Sequence, residues 1–174
     1  MGKILKALAW CKGFWKSASI LSDAEIQNAL ALSVQGLDRM EACLLDSPAI
    51  DVPVNHHFSS GIYAREAILK SGGFYIGHKH TTDHLNFLME GTGKALVDGQ
   101  LKTLTGPCIF PSSAGSRKAV YALTEMRWVN VHPTDETDLV KIESLFIEKS
   151  PAFKAHEKRI QSMPTPALNL KEAV

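Results

Sequence analysis

Long apolar runs, paired cysteines and an excess of one charge are all missing from this 174-residue chain. No stretch of about 20 uncharged apolar residues occurs, which excludes a transmembrane helix from the expected elements. Lysine and arginine total 19 against 18 acids, a net charge of +1, so nothing general in the charge favours nucleic acid. The three cysteines, Cys11, Cys43 and Cys108, are odd in number and far apart, with no C-x-x-C pair. They are expected to be free thiols, buried or half-buried in a reducing compartment. No internal repeat is visible. Apolar residues at 45% and charged residues at 21% make an ordinary globular mixture with one core.

What is present changes period twice. Residues 2–18 place Ile4, Leu5, Leu8, Cys11 and Trp15 near helical spacing, with Lys3, Lys6, Lys12 and Lys16 between them. The lysines interrupt the apolar run and no small-x-small site follows, so the segment is expected to be retained. Trp10, Phe14 and Trp15 are costly to leave in water, so this helix should dock on its own barrel, a neighbouring subunit or a membrane surface, with protein the better choice. Ser22 and Glu25 form a capping box, and Ile26, Leu30, Val34, Leu37, Met40 and Leu44 extend one apolar face, which predicts a helix over 23–45. Asp46-Ser47-Pro48 ends it, and residues 46–58 read as a connector.

From Ile62 the apolar period drops to two. Short runs at 62–69, 74–80, 85–90, 94–97, 101–104, 108–110, 118–122 and 126–132 are separated by Gly72-Gly73, Gly91-Thr92-Gly93 and the hairpin signal Asp98-Gly99. About eight such strands predict an all-β sandwich or barrel. After Pro133, Leu139, Ile142, Leu145 and Phe146 restore a helical face over 135–148. Residues 150–174 are polar and proline-punctuated, an arm with weak helical tendency at 152–161. The expected division is a helical extension at 1–57, a barrel at 58–133, and a helix plus arm at 134–174.

Five of the seven histidines fall between positions 56 and 84. His78 and His80 stand two apart on an expected strand, so both side chains should leave one face. Thr81-Thr82-Asp83 makes a turn, and His84 opens the returning strand. Three neutral imidazoles at such a corner suit a divalent transition metal (Zn, Fe, Ni, Mn or Cu) and leave coordination positions open. The bland alternative is a cluster of solvated or hydrogen-bonded histidines. Lys118, His132, Asn86 and Tyr63 are candidate pocket residues. His132 ends the last strand and could reach the barrel mouth as a ligand or base, while Asn86 and Glu90 share the strand parity of His84. Arg65 and Tyr121 are weaker pocket candidates, and His56 and His57 are expected on the surface. No catalytic residue is singled out.

The run Gly72…His78-Lys79-His80…His84…Gly91 resembles the first cupin motif, G-x5-H-x-H-x3,4-E-x6-G, with His84 in the place of the glutamate. The second motif is degenerate. Gly106, Pro111 and Gly115 keep a turn framework, Lys118 stands where that motif has histidine, and Ala122 where it has asparagine. The resemblance covers about residues 58–133. It implies a mainly β fold, the double-stranded β-helix or jelly-roll barrel of cupins, flanked by N-terminal helices and a C-terminal helix plus tail. It also implies a metal held by His78, His80 and His84. Lys118 in the fourth position could repel a cation or bind an anionic ligand.

The stretches around His78–Leu88, Tyr121–Leu123 and Val131–Thr137 further resemble cupin-like proteins of tailed bacteriophages. That resemblance implies a virion-associated structural or accessory component, assembling as a homo-oligomer or with other virion proteins through its helices and arm. Its expected location is the cytoplasm of a bacterial host or a phage particle. Two alternatives stand beside it: a metal (Fe)-dependent dioxygenase or isomerase acting on a small molecule, and a sugar- or anion-binding module.

Overall fold

Strand pairing in this protein is nested, the outermost strands joining each other and the innermost making a hairpin. The computed structural model describes residues 34–45, 51–97 and 100–162. A helix, α1 (Val34–Leu44), precedes β1 (Val54–Ser59), β2 (Ile62–Leu69), β3 (Phe74–Ile76), β4 (Lys79–His80), β5 (His84–Glu90), β6 (Thr92–Val97), β7 (Gln100–Thr105), β8 (Cys108–Ser112), β9 (Ala119–Ala122) and β10 (Met126–Pro133). Then follow α2 (Leu139–Phe146), β11 (Ile147–Glu148) and α3 (Pro151–Ser162). Strands β2 and β10 pair, as do β3 and β9, β5 and β8, and β6 and β7, all antiparallel. Cross-pairs β5·β10 and β6·β9 close the set into sheets of order β1-β2-β10-β5-β8 and β3-β9-β6-β7. A long hairpin rolled up in this way is a jelly roll.

The inward residues run from apolar to polar along each strand of the larger sheet. Strand β10 turns Met126, Trp128, Asn130 and His132 inward. Opposite them on β2 stand Leu69, Ala67, Arg65 and Tyr63. On β5 the inward set is Leu88, Asn86 and His84, and on β8 it is Cys108, Phe110 and Ser112. One end of the barrel is therefore a dry core of Ala67, Leu69, Leu88, Ala95, Val97, Val120, Ala122, Met126 and Trp128. The other end collects histidines, tyrosine and amides. Strict period-2 alternation makes this division possible, because one face of each strand can change chemistry along its length without exposing the other.

Two helices cover what the barrel leaves open. α1 lays Leu37 on the outside of the smaller sheet, against Leu96, Ala119 and Tyr121. Burying one such leucine contributes about 1.5–3 kcal/mol. Beside this contact Arg117, almost wholly buried, joins Asp38 and lies 2.6 Å from Glu41 Oε1, while its Nε donates to the Gly77 carbonyl at 2.9 Å. Ser150 also donates to Glu41. α2 starts at an Asp138 cap that accepts from the Val140 and Lys141 amides, and buries Ile142 and Phe146 against Tyr63. It thereby roofs the polar end.

Several details differ from the sequence reading. Residues 54–59 form β1, where a connector is expected, and His56 and His57 lie within it. β1 is an edge strand whose burial shows no alternation, so it lacks the apolar signal that marks a strand. The segment at 151–162 is a full helix, and the helix expected over 135–148 spans Leu139–Phe146, because β11 pairs with β4 directly after it. The helix expected over 23–45 is seen from Val34 to Leu44; its earlier part, the helix expected at 2–18 and the end of the arm lie outside the described residues. Cys108 is a half-buried free thiol. No described helix is long and apolar enough to cross a membrane.

Candidate metal centre

Three histidine rings from three strands meet at the polar end. His84 begins β5, His132 lies near the end of β10, and His80 sits on the two-residue strand β4. His80 is fixed by its backbone: its amide donates to the Ser116 carbonyl at 2.9 Å, and its own carbonyl accepts from Gly115 at 2.8 Å. The ring centroids of His80 and His84 are 3.9 Å apart, those of His84 and His132 5.0 Å, and those of His80 and His132 5.4 Å. One nitrogen from each ring falls within 4.8 Å of the others. Phe146 of α2 stacks on His132 at 4.4 Å and shields the cluster from above.

His78 is not in this cluster. The expectation that it shares a face with His80 assumes an unbroken strand, but β3 ends at Ile76 and β4 starts at Lys79. The irregular link at Gly77-His78 cancels the parity. The His78 ring instead meets the edge of Phe153 on α3 at 4.5 Å. His132, expected as a pocket residue that could reach the barrel mouth as a ligand or base, takes the third corner. Tyr63 stands opposite it in register, is buried, and bonds His56 Nδ1 through its hydroxyl at 2.8 Å. Asn86 lies one layer deeper, wholly buried. It accepts from Trp128 Nε1 at 3.2 Å and Asn130 Nδ2 at 2.9 Å, and donates to Ser112 Oγ at 2.9 Å. Tyr121 packs beneath α1, Glu90 is an exposed partner of Arg127, and His57 faces outward onto Glu66.

Burial keeps the imidazoles neutral. It is the main reason that His132 is pushed down to about 4 and His80 to about 2, with neighbouring His84 and Lys118 adding to both. His84 is lowered by burial first and by Lys118 second, against the opposing bond to Thr82. Neutral imidazole is the form that ligates metal. Nδ1 of His80 and Nδ1 of His132 are buried with no hydrogen-bond partner among the described residues. Both the donor chemistry and these orphaned nitrogens fit a divalent transition metal.

Lys118 complicates the fit. It is buried, and its Nζ stands 3.1 Å from His84 Nε2. His84 Nδ1 lies 3.2 Å from the Thr82 carbonyl, which can only accept, so Nδ1 carries the hydrogen and Nε2 the lone pair. The nitrogen that could ligate a metal thus accepts from an ammonium. Two unit charges at 4 Å interact by about 4 kcal/mol at an effective dielectric of 20, and a divalent ion doubles that.

Above the cluster lies a cavity of about 600 Å³. His80, His132, Lys118, Arg65, Tyr63 and Asn130 supply its polar wall, with Ile142 and Phe146 on the apolar side. Its size is that of a small-molecule site.

The solved structures this chain is similar to include a cupin superfamily protein. A cupin superfamily protein from Desulfitobacterium hafniense is 14% identical, over 54% of this chain and 87% of that one, with a TM-score of 0.42. KdgF from a Halomonas species is 10% identical over 53% and 90%, at 0.44. The EutQ protein of Clostridium difficile is 16% identical over 49% and 70%, at 0.40. No family model matches the chain, and no curated protein matches it. The strand order by itself makes the barrel a jelly roll.

Proposed function

We propose that this protein is a small metal-binding cupin. A divalent transition metal is held by His80, His84 and His132, and the cavity above it receives a small molecule. The observation that carries this reading is the convergence of three ring nitrogens within 4.8 Å, two of them on rings, His80 and His132, that line the cavity. Three neutral donors leave coordination positions free on the cavity side, where a ligand's own donor atoms complete the shell. Elemental analysis of protein purified without added metal tests it. The expected result is close to one transition metal per chain, lost in His80→Ala/His132→Ala while circular dichroism still reports the barrel. Undiminished metal in the double variant overturns the assignment.

A second reading is the assembly role implied by the likeness to phage cupin-like proteins. One observation favours it. The outer face of the larger sheet presents Ile62, Leu85, Met89 and Ile109, all exposed. Exposed apolar side chains on one sheet face suit a second copy of the chain. Light scattering should then report an oligomer that Leu85→Lys/Ile109→Lys disperses; a wild-type monomer at micromolar concentration rules the reading out.

A further inference from the structure

One stripe of α2 lines the cavity. Leu139, Ile142, Glu143 and Phe146 recur at i, i+3, i+4 and i+7, and Val140 lies beside them on the same wall. Ile142 and Phe146 are buried on Tyr63. Leu139 and Val140 are 44% and 76% exposed and join none of the apolar clusters among the described residues. Their turn is nevertheless held in place, because the Asp138 side chain accepts from the Val140 and Lys141 amides. Two aliphatic side chains are thus fixed at the opening of a cavity, and the fold covers neither. Half-buried Val52 and Ile76 add apolar wall from the barrel side. Charge selects less clearly, since the wall holds Glu143 as well as Arg65 and Lys118.

We propose that the small molecule of this cavity is amphipathic, with one polar head toward His80 and His132 and an apolar body, of phenyl size or larger, laid along α2 from Phe146 to Val140. This inference rests on the metal centre proposed above for the head group, and it deepens that reading by making α2 the wall that sets specificity. A cavity of about 600 Å³ has room for such a body. Covering Leu139 and Val140 takes apolar area out of water on both partners, which is the source of the affinity. The head then needs a single donor atom for an open coordination position, and apolar contact decides among ligands that share that head. A wholly polar molecule of equal volume would leave both side chains wet and gain nothing from the stripe.

The test is a titration of the Co²⁺-loaded full-length chain with imidazole and with 4-phenylimidazole, followed by the visible absorption of the ion. The two probes share one neutral head and differ by an apolar ring. In the wild-type protein 4-phenylimidazole should bind about tenfold more tightly or better, the gain from taking part of a phenyl ring out of water. In Leu139→Ser/Val140→Ser that ratio should fall at least threefold. Equal affinity for the two probes in the wild-type protein overturns the inference and leaves the metal centre standing. A ratio undiminished in the double variant also overturns it. Absence of Co²⁺ absorption overturns the metal centre, and the cavity is then read on the metal-free chain with the neutral fluorophore N-phenyl-1-naphthylamine. Its affinity should fall at least threefold in Leu139→Ser/Val140→Ser; no binding to the wild-type protein, or equal binding to the variant, overturns the apolar wall as well.

Discussion

Asn86 Oδ1 accepts two hydrogen bonds at once, from Trp128 Nε1 at 3.2 Å and from Asn130 Nδ2 at 2.9 Å, at a position with no solvent exposure. It forms the layer between the dry core and the histidine cluster. Replacing it by leucine leaves an indole N–H and an amide N–H buried without their acceptor, and each such loss costs about 1–3 kcal/mol. Asn86→Leu should therefore destabilise the protein by about 2–4 kcal/mol despite adding apolar volume. Urea unfolding monitored by far-UV circular dichroism measures this. An unchanged midpoint would show that the amide pair finds other partners.

The buried charges under α1 make a second prediction. Glu41 and Arg117 are both buried, and they tie the helix to the barrel next to Gly77. Removing Glu41 leaves buried Arg117 with only half-exposed Asp38 and the Gly77 carbonyl, and breaking a buried pair typically costs about 3–5 kcal/mol, while replacing both partners by apolar residues of similar volume costs far less. Glu41→Ala should lower the thermal midpoint more than Arg117→Met/Glu41→Leu does. A double variant that melts below Glu41→Ala would contradict this account of the helix dock.

Much of the barrel can be read from period-2 runs and turn residues, and Gly91 shows why. Its φ of +90° lies in the region that favours glycine, and a Cβ there would overlap the Glu125 carbonyl and come within 2.8 Å of Met126 Cα. The glycine that closes the histidine motif is thus required by the approach of two strands as well as by its own turn. Gly91→Ala should cost about 2–3 kcal/mol, readable as a shift in the urea midpoint. Other features could not be read. β1 carries Asn55, His56, His57 and Ser59, a polar edge strand without alternation. The membership of His132 depends on β10 returning beside β2, from Met126↔Leu69 to Pro133↔Ile62, and beside β5, from Arg127↔Glu90 to Val131↔Leu85, long-range pairings that no local pattern encodes. The loss of His78 depends on a strand break at a glycine that reads locally as continuous strand.

Acid should destabilise the metal-free protein over a defined window. His132 is held at about 4 and His80 at about 2 in the folded state, both mainly by burial, against 6.5 for an open imidazole. Below pH 6.5 the unfolded chain takes up protons that the folded chain refuses, so stability is full above pH 6.5 and falls as pH drops toward 4, where His132 begins to protonate in place. The loss from His132 alone is of order 1–3 kcal/mol at pH 4. His132→Asn removes one of these sites and should flatten the slope between pH 6.5 and 4. Equal wild-type stability at pH 4.5 and pH 7.5 would show that the rings are accessible to protons in the folded state.

The choice between the two possible histidine sets is also open to a direct measurement. The motif spacing favours His78 with His80 and His84, whereas the fold turns His78 onto Phe153 and brings His132 to the cluster. Loss of one of three ligands lowers metal affinity by several orders of magnitude, because the remaining pair cannot fill a tetrahedral shell. Loss of a ring that only packs on a neighbouring helix leaves the ligands in place. His132→Ala should therefore abolish stoichiometric Co²⁺ binding, seen as loss of the visible d–d absorption. His78→Ala should keep the spectrum and lower the thermal midpoint modestly, since the Phe153 edge contact is worth about 0.5–1.5 kcal/mol. The reverse pattern, with Co²⁺ absorption lost in His78→Ala and kept in His132→Ala, would mean that the link at Gly77 rearranges when metal binds.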